Sequence, residues 1–266
     1  MILRICTVSC AASAAALCAL ACLGCGGGRG GSRGEAPTTS AAAAAPAAKT
    51  ARHCAGVQRP VGTRTVAWAA VVVRPTIAYR VPGRGPIARF ARLNVNRFPT
   101  VFSVVGERLG AECRAAWLHV ELPIRPNGIT GWINPANVHV EAVRTRILVD
   151  LSERRIRFYR RGRLVLSSRV AIGSPSTPTP TGRYYVNQRL LTGDPSGPYG
   201  PGAVGVSAFS NVLTGWAQGG PIGIHGTNEP WSIGHDVSNG CIRLPNPTLK
   251  MLFRQTPAGT PVIIRR

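Results

Sequence analysis

The chain has 266 residues, of which 44% are hydrophobic, so it can form a packed core and is long enough for two domains. It carries 32 Lys and Arg against 10 Asp and Glu, a formal net charge of +22, and only Lys49 and Lys250 are lysines. After residue 24 no stretch reaches the roughly 18 apolar residues that a membrane-spanning helix requires, which excludes a multi-span membrane protein.

The first 24 residues are typical of an export segment. Arg4 supplies a positive charge near the start, and residues 11–23 form an apolar run of small side chains. We therefore predict a signal peptide or lipoprotein leader over residues 1–25 and an extracytoplasmic protein, in the cell wall or periplasm. A leader that is retained as a membrane tether, or lipidated at Cys22 or Cys25, stays open.

The excess of positive charge favours an anionic partner, which could be nucleic acid, an acidic membrane or a cell wall. Because the leader predicts export, we expect anionic cell-wall polymers as partners and no nucleic acid. The attraction should weaken as salt screens the charges.

Residues 26–56 are dominated by Gly, Ala and Pro, which predicts a disordered tether. The first domain is predicted over residues 57–143, where short β-rich runs separated by turns favour a small β-barrel. Its predicted strands cover residues 66–73, 101–105, 117–122 and 138–143.

Part of the first domain resembles a known module. The sequence LPIRPNG at residues 122–128, followed by TGWI at residues 130–133, resembles the turn and Gly-Trp strand of bacterial SH3-like domains. For Trp132 we favour a place in the core of the barrel over stacking on a ligand.

The second domain is predicted over residues 144–266 and is also mainly β. Alternating apolar residues on both sides of the turn at Arg161-Gly162 predict a hairpin. Further predicted elements are a strand over residues 183–186, a long irregular loop over 194–202, a helix over 248–253 and a last strand over 261–265.

Beyond the leader the chain has three cysteines, an odd number for an oxidising compartment. Cys54 and Cys113 bracket the first domain, so we predict a disulfide between them that closes a loop of about 60 residues and contributes about 4 kcal/mol. Cys241 is then the free thiol, which is either a liability or a nucleophile.

The sequence around Cys241 favours a nucleophile. IHGT at residues 224–227 precedes SNGCIR at residues 238–243. A thiol attacks a carbonyl as thiolate, and a free cysteine titrates near pKa ~8.5, so a neighbouring imidazole is needed. We therefore predict that His225 activates Cys241 and holds the pKa of the thiol well below 8.5.

The glycines beside this pair have their own predicted roles. Gly240 permits a turn with positive φ, which lets backbone N–H groups converge on the oxygen of a tetrahedral intermediate. Gly226 leaves a backbone carbonyl that can fix the imidazole tautomer.

His225-Gly226-Thr227, Ser232-Ile233-Gly234 and residues 238–243 resemble the signature of the YkuD-type L,D-transpeptidases, which cross-link peptidoglycan through a cysteine acyl-enzyme. VAIG at residues 170–173 and TPTGRY at residues 179–184 look like the approach to the active-site cleft of that family. The resemblance covers residues 144–266. It implies a β-sandwich-like catalytic domain that needs no metal or organic cofactor.

Carried over by residue, the resemblance makes Cys241 the nucleophile, His225 its base and the Gly226 carbonyl the third member. The amides of Gly240 and Cys241 would form the oxyanion hole. Asn239 stands where many members have a second histidine, so this position cannot titrate.

The other candidate site residues keep two interpretations each. Ser238 is favoured as a turn and hydrogen-bond residue over a nucleophile. Arg243 binds a substrate carboxylate or pairs with Asp236. Trp231 walls the cleft, as a lid together with the loop over residues 194–202, or packs in the core.

The resemblance also implies the reaction. A peptidoglycan stem tetrapeptide is the donor, Cys241 attacks the carbonyl of its third residue, D-Ala leaves, and an amine of a neighbouring stem resolves the thioester. β-Lactams of carbapenem type would acylate Cys241 as inhibitors. The chain would serve cell-wall biogenesis and cell shape.

Three alternatives stay open. Water could resolve the thioester, which would make the protein an L,D-carboxypeptidase. The chain could be a noncatalytic wall-binding protein with an inert thiol. A zinc site from His225, His235, Asp236 and Cys241 is disfavoured, because no Cys-x-x-Cys or His-x-x-x-His pair supports it.

Overall fold

The computed structural model describes residues 54–266. The predicted leader and nearly all of the predicted tether lie outside these residues. Between residues 54 and 266 we find no helix that is long and apolar enough to cross a membrane.

The mainly β fold predicted from the sequence is confirmed. The strands of the first sheet pair antiparallel in the order β4-β3-β7-β6-β5-β2-β8, with β1 on β5. These strands are β1 (Gln58–Pro60), β2 (Ala67–Val72), β3 (Thr76–Val81), β4 (Arg84–Phe90), β5 (Val101–Leu109), β6 (Ala115–Glu121), β7 (Thr130–Ile133) and β8 (Val138–Val143). A short 3-10 turn, Pro135–Asn137, precedes β8.

All four strands predicted by range in the first domain form, and the hairpin β3–β4 is an addition. β4 contains Pro86, which an edge strand tolerates, and β4 lies at the edge of the sheet. Trp132 is buried and stacks on His119 with ring centroids 4.6 Å apart. The preference for a place in the core is therefore confirmed, while the SH3-like resemblance stays a prediction.

The second sheet contains the hairpin, the strand and the terminal strand predicted for residues 144–266. Its order is β11-β10-β9-β18-β13-β14-β15-β17. These strands are β9 (Thr145–Asp150), β10 (Arg155–Arg160), β11 (Arg163–Arg169), β13 (Gly182–Leu191), β14 (Gly202–Phe209), β15 (Pro221–His225), β17 (Ile242–Arg243) and β18 (Pro261–Arg265). The pairs β9–β18 and β15–β17 are parallel.

Two smaller features cover this sheet. The short parallel pair β12 (Ile172–Gly173) and β16 (Asp236–Ser238) lies beside β17. The helix α1 (Asn246–Gln255) packs against β14 and β15 and buries Leu249 and Leu252. It is longer than the predicted 248–253, because it begins directly after Pro245.

The core of the second sheet is built from side chains that alternate along the strands. Ile147, Phe158, Val204, Ile224 and Ile242 are all fully buried. Both sheets belong to one compact unit. The division into a tether, a first domain and a second domain stays a prediction.

Candidate active site

Strand register brings the predicted pair together. β15 ends at His225, and β17 begins directly after Cys241; the two strands run parallel with Ile224 opposite Ile242 and His225 opposite Arg243. The register therefore places Cys241 beside Gly223, whose N–H donates to Cys241 Sγ over 3.4 Å. His225 and Cys241 line one cleft of about 540 Å³.

His225 is held in one orientation and one tautomer. The ring is buried, and its Nδ1 lies 2.6 Å from the carbonyl oxygen of Gly226. Since a carbonyl only accepts, Nδ1 donates and Nε2 is left as the acceptor. This is the role predicted for the Gly226 carbonyl.

Gly226 itself fits tightly. A Cβ there would collide with the Asn246 side chain and with Pro201 and Gly200. Asn246, the first residue of α1, accepts the Thr227 N–H over 2.8 Å, so the helix fixes the backbone that orients the imidazole.

Two hydroxyl side chains, of Ser238 and Thr179, hold the turn before Cys241. Gly240 has a φ of +104°, as predicted. Ser238 Oγ accepts the Gly240 N–H over 3.1 Å and donates to the Cys241 carbonyl over 2.5 Å. Thr179 Oγ1 donates to the Gly240 carbonyl over 2.9 Å and accepts the Gly173 N–H over 2.8 Å.

These bonds assign the turn residues their roles. Ser238 is a turn and hydrogen-bond residue, and Thr179 and Gly173, from the two upstream motifs, are its scaffold. The predicted oxyanion hole needs a correction, because the Gly240 N–H is already bound by Ser238. The Cys241 N–H has no acceptor between residues 54 and 266 and is the donor left for an oxyanion.

Burial sets the charge state of the pair. It lowers the pKa of His225 to about 4, against a smaller rise from the Gly226 carbonyl, and Arg243 lowers it further. Burial also raises the pKa of the Cys241 thiol, although the Gly223 N–H and Arg243 act in the opposite direction. These directions run against the predicted low pKa of the thiol and favour a neutral thiol beside a neutral imidazole at neutral pH.

Arg243 does not pair with Asp236, as one of its interpretations had it. Its Nη1 forms an ion pair with Glu229, while Asp236 accepts both Nε and Nη2 of Arg154, at 2.6 and 3.0 Å. Arg154, from the turn between β9 and β10, binds both oxygens of the Asp236 carboxylate. Arg243 also lines the cleft, and its Nε is buried without a partner between residues 54 and 266.

Trp231 lies in neither of its two predicted places, the wall of the cleft and the core. This side chain is 64% exposed, so it is not in the core, and it is not among the residues that line the cleft. It lies in the 3-10 turn Pro230–Ser232, where Ser232 takes the buried position. Trp216 lines the cleft instead, on the segment between β14 and β15 that holds a further 3-10 turn, Ala217–Gly219.

The loop predicted over residues 194–202 does contribute to the wall. Its Pro198 and Tyr199 line the cleft, and the Tyr199 ring meets the His225 ring edge to face at 4.9 Å. Asn239 is exposed at the same cleft. Trp216 was not predicted from the sequence as a site residue; its signal is a lone aromatic residue in a stretch with three glycines, residues 210–220.

The remaining predicted site residues lie elsewhere. Cys54 and Cys113 form a disulfide, and Cys241 is the free cysteine of the described part of the chain. His235 is exposed. Over residues 54–266, His, Cys, Asp and Glu side chains form no group of three or more that could hold a metal ion.

Comparison with known proteins places the second sheet in a family. Residues 144–264 match the model of the L,D-transpeptidase catalytic domain, YkuD. A Bacillus licheniformis protein named as an L,D-transpeptidase YkuD is 36% identical over 132 residues, which is 50% of this chain and 72% of that protein. The Bacillus subtilis protein of the same name is 34% identical over 120 residues, 45% of this chain and 65% of that protein.

Among solved structures, an Enterococcus faecium L,D-transpeptidase variant is similar to this chain. The sequence identity is 28%, the TM-score is 0.36, and the match covers 46% of this chain and 49% of that one.

Proposed function

Because this chain belongs to the YkuD family of L,D-transpeptidases, we propose that it transfers an acyl group between stem peptides of peptidoglycan through Cys241. The observation that carries the proposal is the cleft shared by Cys241 and His225, with Nδ1 fixed on the Gly226 carbonyl and Nε2 free to accept a proton. No metal or organic cofactor takes part in the proposed steps.

In the first half-reaction Cys241 Sγ attacks the carbonyl carbon of the third residue of a tetrapeptide. The thiol proton moves to His225 Nε2 while the C–S bond forms, and the Cys241 N–H donates to the developing oxyanion. The proton then passes to the nitrogen of the departing D-Ala as the C–N bond breaks, which leaves a thioester.

The second half-reaction runs in reverse. The amine of an acceptor stem loses a proton to His225 Nε2 and attacks the thioester carbonyl. The C–S bond breaks, and the thiolate takes the proton back from His225. The Cys241 thiol and the His225 imidazole thus return to the neutral forms in which they began.

The neutral resting pair suits this scheme. With a pKa of about 4, His225 is unprotonated at neutral pH and available as a base, so the thiolate needs to exist only while the thiol attacks. A thiol that stays protonated at rest is also less exposed to oxidation in an extracytoplasmic compartment.

An amine acceptor is favoured by the walls of the cleft. Tyr199 and Trp216 present aromatic surface beside His225 and Cys241. An amine competes with water at about 55 M, so a wall that excludes solvent and orients the acceptor is required for transfer.

We propose that the protein works outside the cytoplasm against an anionic wall. The net charge of +22 supports this. Further support comes from a second cavity of about 430 Å³ that is lined by Arg64, Arg144, Arg146 and Arg183, with Glu121 as its single carboxylate.

The test uses purified protein and a disaccharide-tetrapeptide, with the products measured by mass spectrometry. We expect a cross-linked dimer that has lost one D-Ala. Tripeptide monomer alone would show an L,D-carboxypeptidase, and unchanged substrate with folded protein would favour a noncatalytic wall-binding protein.

Matched variants assign the roles. Cys241→Ala should form no product and no carbapenem adduct by intact mass, and His225→Ala should slow both. His235→Ala is the control, because this exposed histidine is not among the cleft-lining residues and should leave both reactions unchanged.

A further inference from the structure

The motif LPIRPNG at residues 122–128 has a role that the SH3-like resemblance leaves unexplained. Its Arg125 and Asn127 bond to the main chain of the second sheet instead of serving only their own turn. The backbone they reach belongs to the end of β14 and to the segment that follows it.

The contacts are specific in their geometry. Arg125 Nη2 donates to the Ser210 carbonyl over 2.6 Å, and Arg125 Nε donates to the Gly219 carbonyl over 3.0 Å. The Asn127 side chain binds both backbone groups of Phe209: its Oδ1 accepts the Phe209 N–H over 2.9 Å, and its Nδ2 donates to the Phe209 carbonyl over 2.8 Å. The guanidinium also lies 5.5 Å from the centre of the Phe209 ring.

These contacts fix the two ends of the segment over residues 210–220. The Ser210 N–H donates to the Gly220 carbonyl over 2.8 Å, which closes the base of the segment. Arg125 therefore binds one carbonyl at each end of the same loop. Hydrogen bonds from a charged guanidinium are stronger than hydrogen bonds between neutral groups.

A second contact holds Gln218, beside the C-terminal end of the segment. Gln218 Nε2 donates to Asn96 Oδ1 over 3.0 Å, and Asn96 in turn donates to Gln188 Oε1 over 3.1 Å. Asn96 comes from the first domain, yet it lines the same cleft as Cys241. Asn127 Nδ2 also lies 3.2 Å from Asn211 Oδ1, to which it donates, and Asn96 Nδ2 lies 3.5 Å from Gln218 Oε1. Apart from these contacts of Arg125, Asn127 and Asn96, the hydrogen bonds that side chains and turns of residues 210–220 form stay within the segment.

We propose that the first domain is a working part of the active site: Arg125, Asn127 and Asn96 hold the segment 210–220 in place as a wall of the cleft. Leu213, Trp216 and Gln218 of this segment line the cleft, whereas Val212 and Trp216 are half exposed, so little packing besides these bonds holds it there. Arg125 is thus a positioning residue. The expected effect on KM rests on the proposed function, whereas the effect on hydrogen exchange rests on the contacts alone.

The first arm of the test is hydrogen exchange on the full chain. Arg125→Gln should speed exchange of the backbone amides over residues 212–219 by about tenfold or more, since both ends of the segment lose a charge-assisted bond. The control is Arg84→Gln on the far edge strand β4, which should leave these amides unchanged. Equal exchange in Arg125→Gln and wild type would overturn the proposal.

The second arm is kinetic. Arg125→Gln should raise the KM for disaccharide-tetrapeptide about tenfold with little change in kcat, because the wall binds substrate while the reacting atoms stay in place. The alkylation rate of Cys241 by iodoacetamide should not fall. A parallel fall in kcat, alkylation and protection across the whole second sheet would show general destabilisation and would refute a positioning role.

Asn96→Ala keeps the test decisive if Arg125→Gln folds poorly. This variant removes only the contacts to Gln218, so we expect a smaller rise in KM and faster exchange confined to residues near Gln218. If wild-type protein turns over no donor, the proposed function fails, while the exchange arm still decides whether the first domain holds the segment.

Discussion

The charge state of the catalytic pair gives the sharpest test of the site. We expect the alkylation rate of Cys241 by iodoacetamide to rise with a midpoint near pH 4, stay level through neutral pH, and rise again above pH 9. The first rise follows the loss of the proton from His225, whose pKa burial lowers to about 4. The second follows direct ionisation of the thiol, whose pKa burial raises above 9.0.

The fractions of thiolate and imidazolium at pH 7 distinguish a neutral pair from an ion pair. A thiol with a pKa above 9.0 has at most about one thiolate per hundred molecules at pH 7, and an imidazole with a pKa of about 4 is protonated in about one molecule per thousand. His225→Ala should therefore remove the level region and keep the rise above pH 9. His235→Ala should keep the wild-type profile.

One result would contradict a neutral resting pair of Cys241 and His225. If wild-type Cys241 titrates in a single step well below pH 8.5, and His225→Ala moves that step up toward 8.5, then thiolate and imidazolium coexist at rest. In that case the interaction between the two charges outweighs the burial of both groups.

Three further predictions concern stability. The pKa of His225 is about 4 in the folded protein and 6.5 in the unfolded chain, so the unfolded chain binds the proton first as the pH falls. The free energy of unfolding should therefore be unaffected by this group above pH 6.5 and fall by about 3 kcal/mol between pH 6.5 and 4. Urea unfolding measures this loss, which His225→Gln should not show. Replacing Cys54 and Cys113 together by Ser should cost about 4 kcal/mol in the same assay, because the disulfide spans 59 residues. Gly226→Ala should cost about 1–3 kcal/mol and slow formation of the carbapenem adduct, since its methyl group meets the start of α1, while Gly110→Ala, which has ordinary contacts, should do neither.

Much of the catalytic centre could be predicted from the sequence because its chemistry is local. Gly240 takes a positive φ, and the Gly226 carbonyl follows directly after His225, so the turn and the tautomer depend on neighbours in the chain. The alternating apolar residues predicted the hairpin for the same reason, since the period of a strand is two residues. The pairing of Cys54 with Cys113 followed from counting.

Several of the strands that the sequence analysis did not predict lack a clean local pattern, although β3, β14 and β15 were not predicted either. β4 contains Pro86, and β12 and β17 have two residues each, so only their neighbours in the sheet make them strands. Thr179 was part of a recognised motif, but its two hydrogen bonds to Gly173 and Gly240 depend on loops that meet only in the fold.

From the sequence alone we derived the nucleophile and base candidates and the order of those strands that have a clear local pattern. The tertiary structure decided which groups meet: Arg243 with Glu229 instead of Asp236, Trp216 at the cleft instead of Trp231, and Arg125 on the segment 210–220. It also decided the protonation of Cys241 and His225. The physical reason is that burial and ion pairing sum over neighbours from distant parts of the chain, whereas a motif records only the residues next to it.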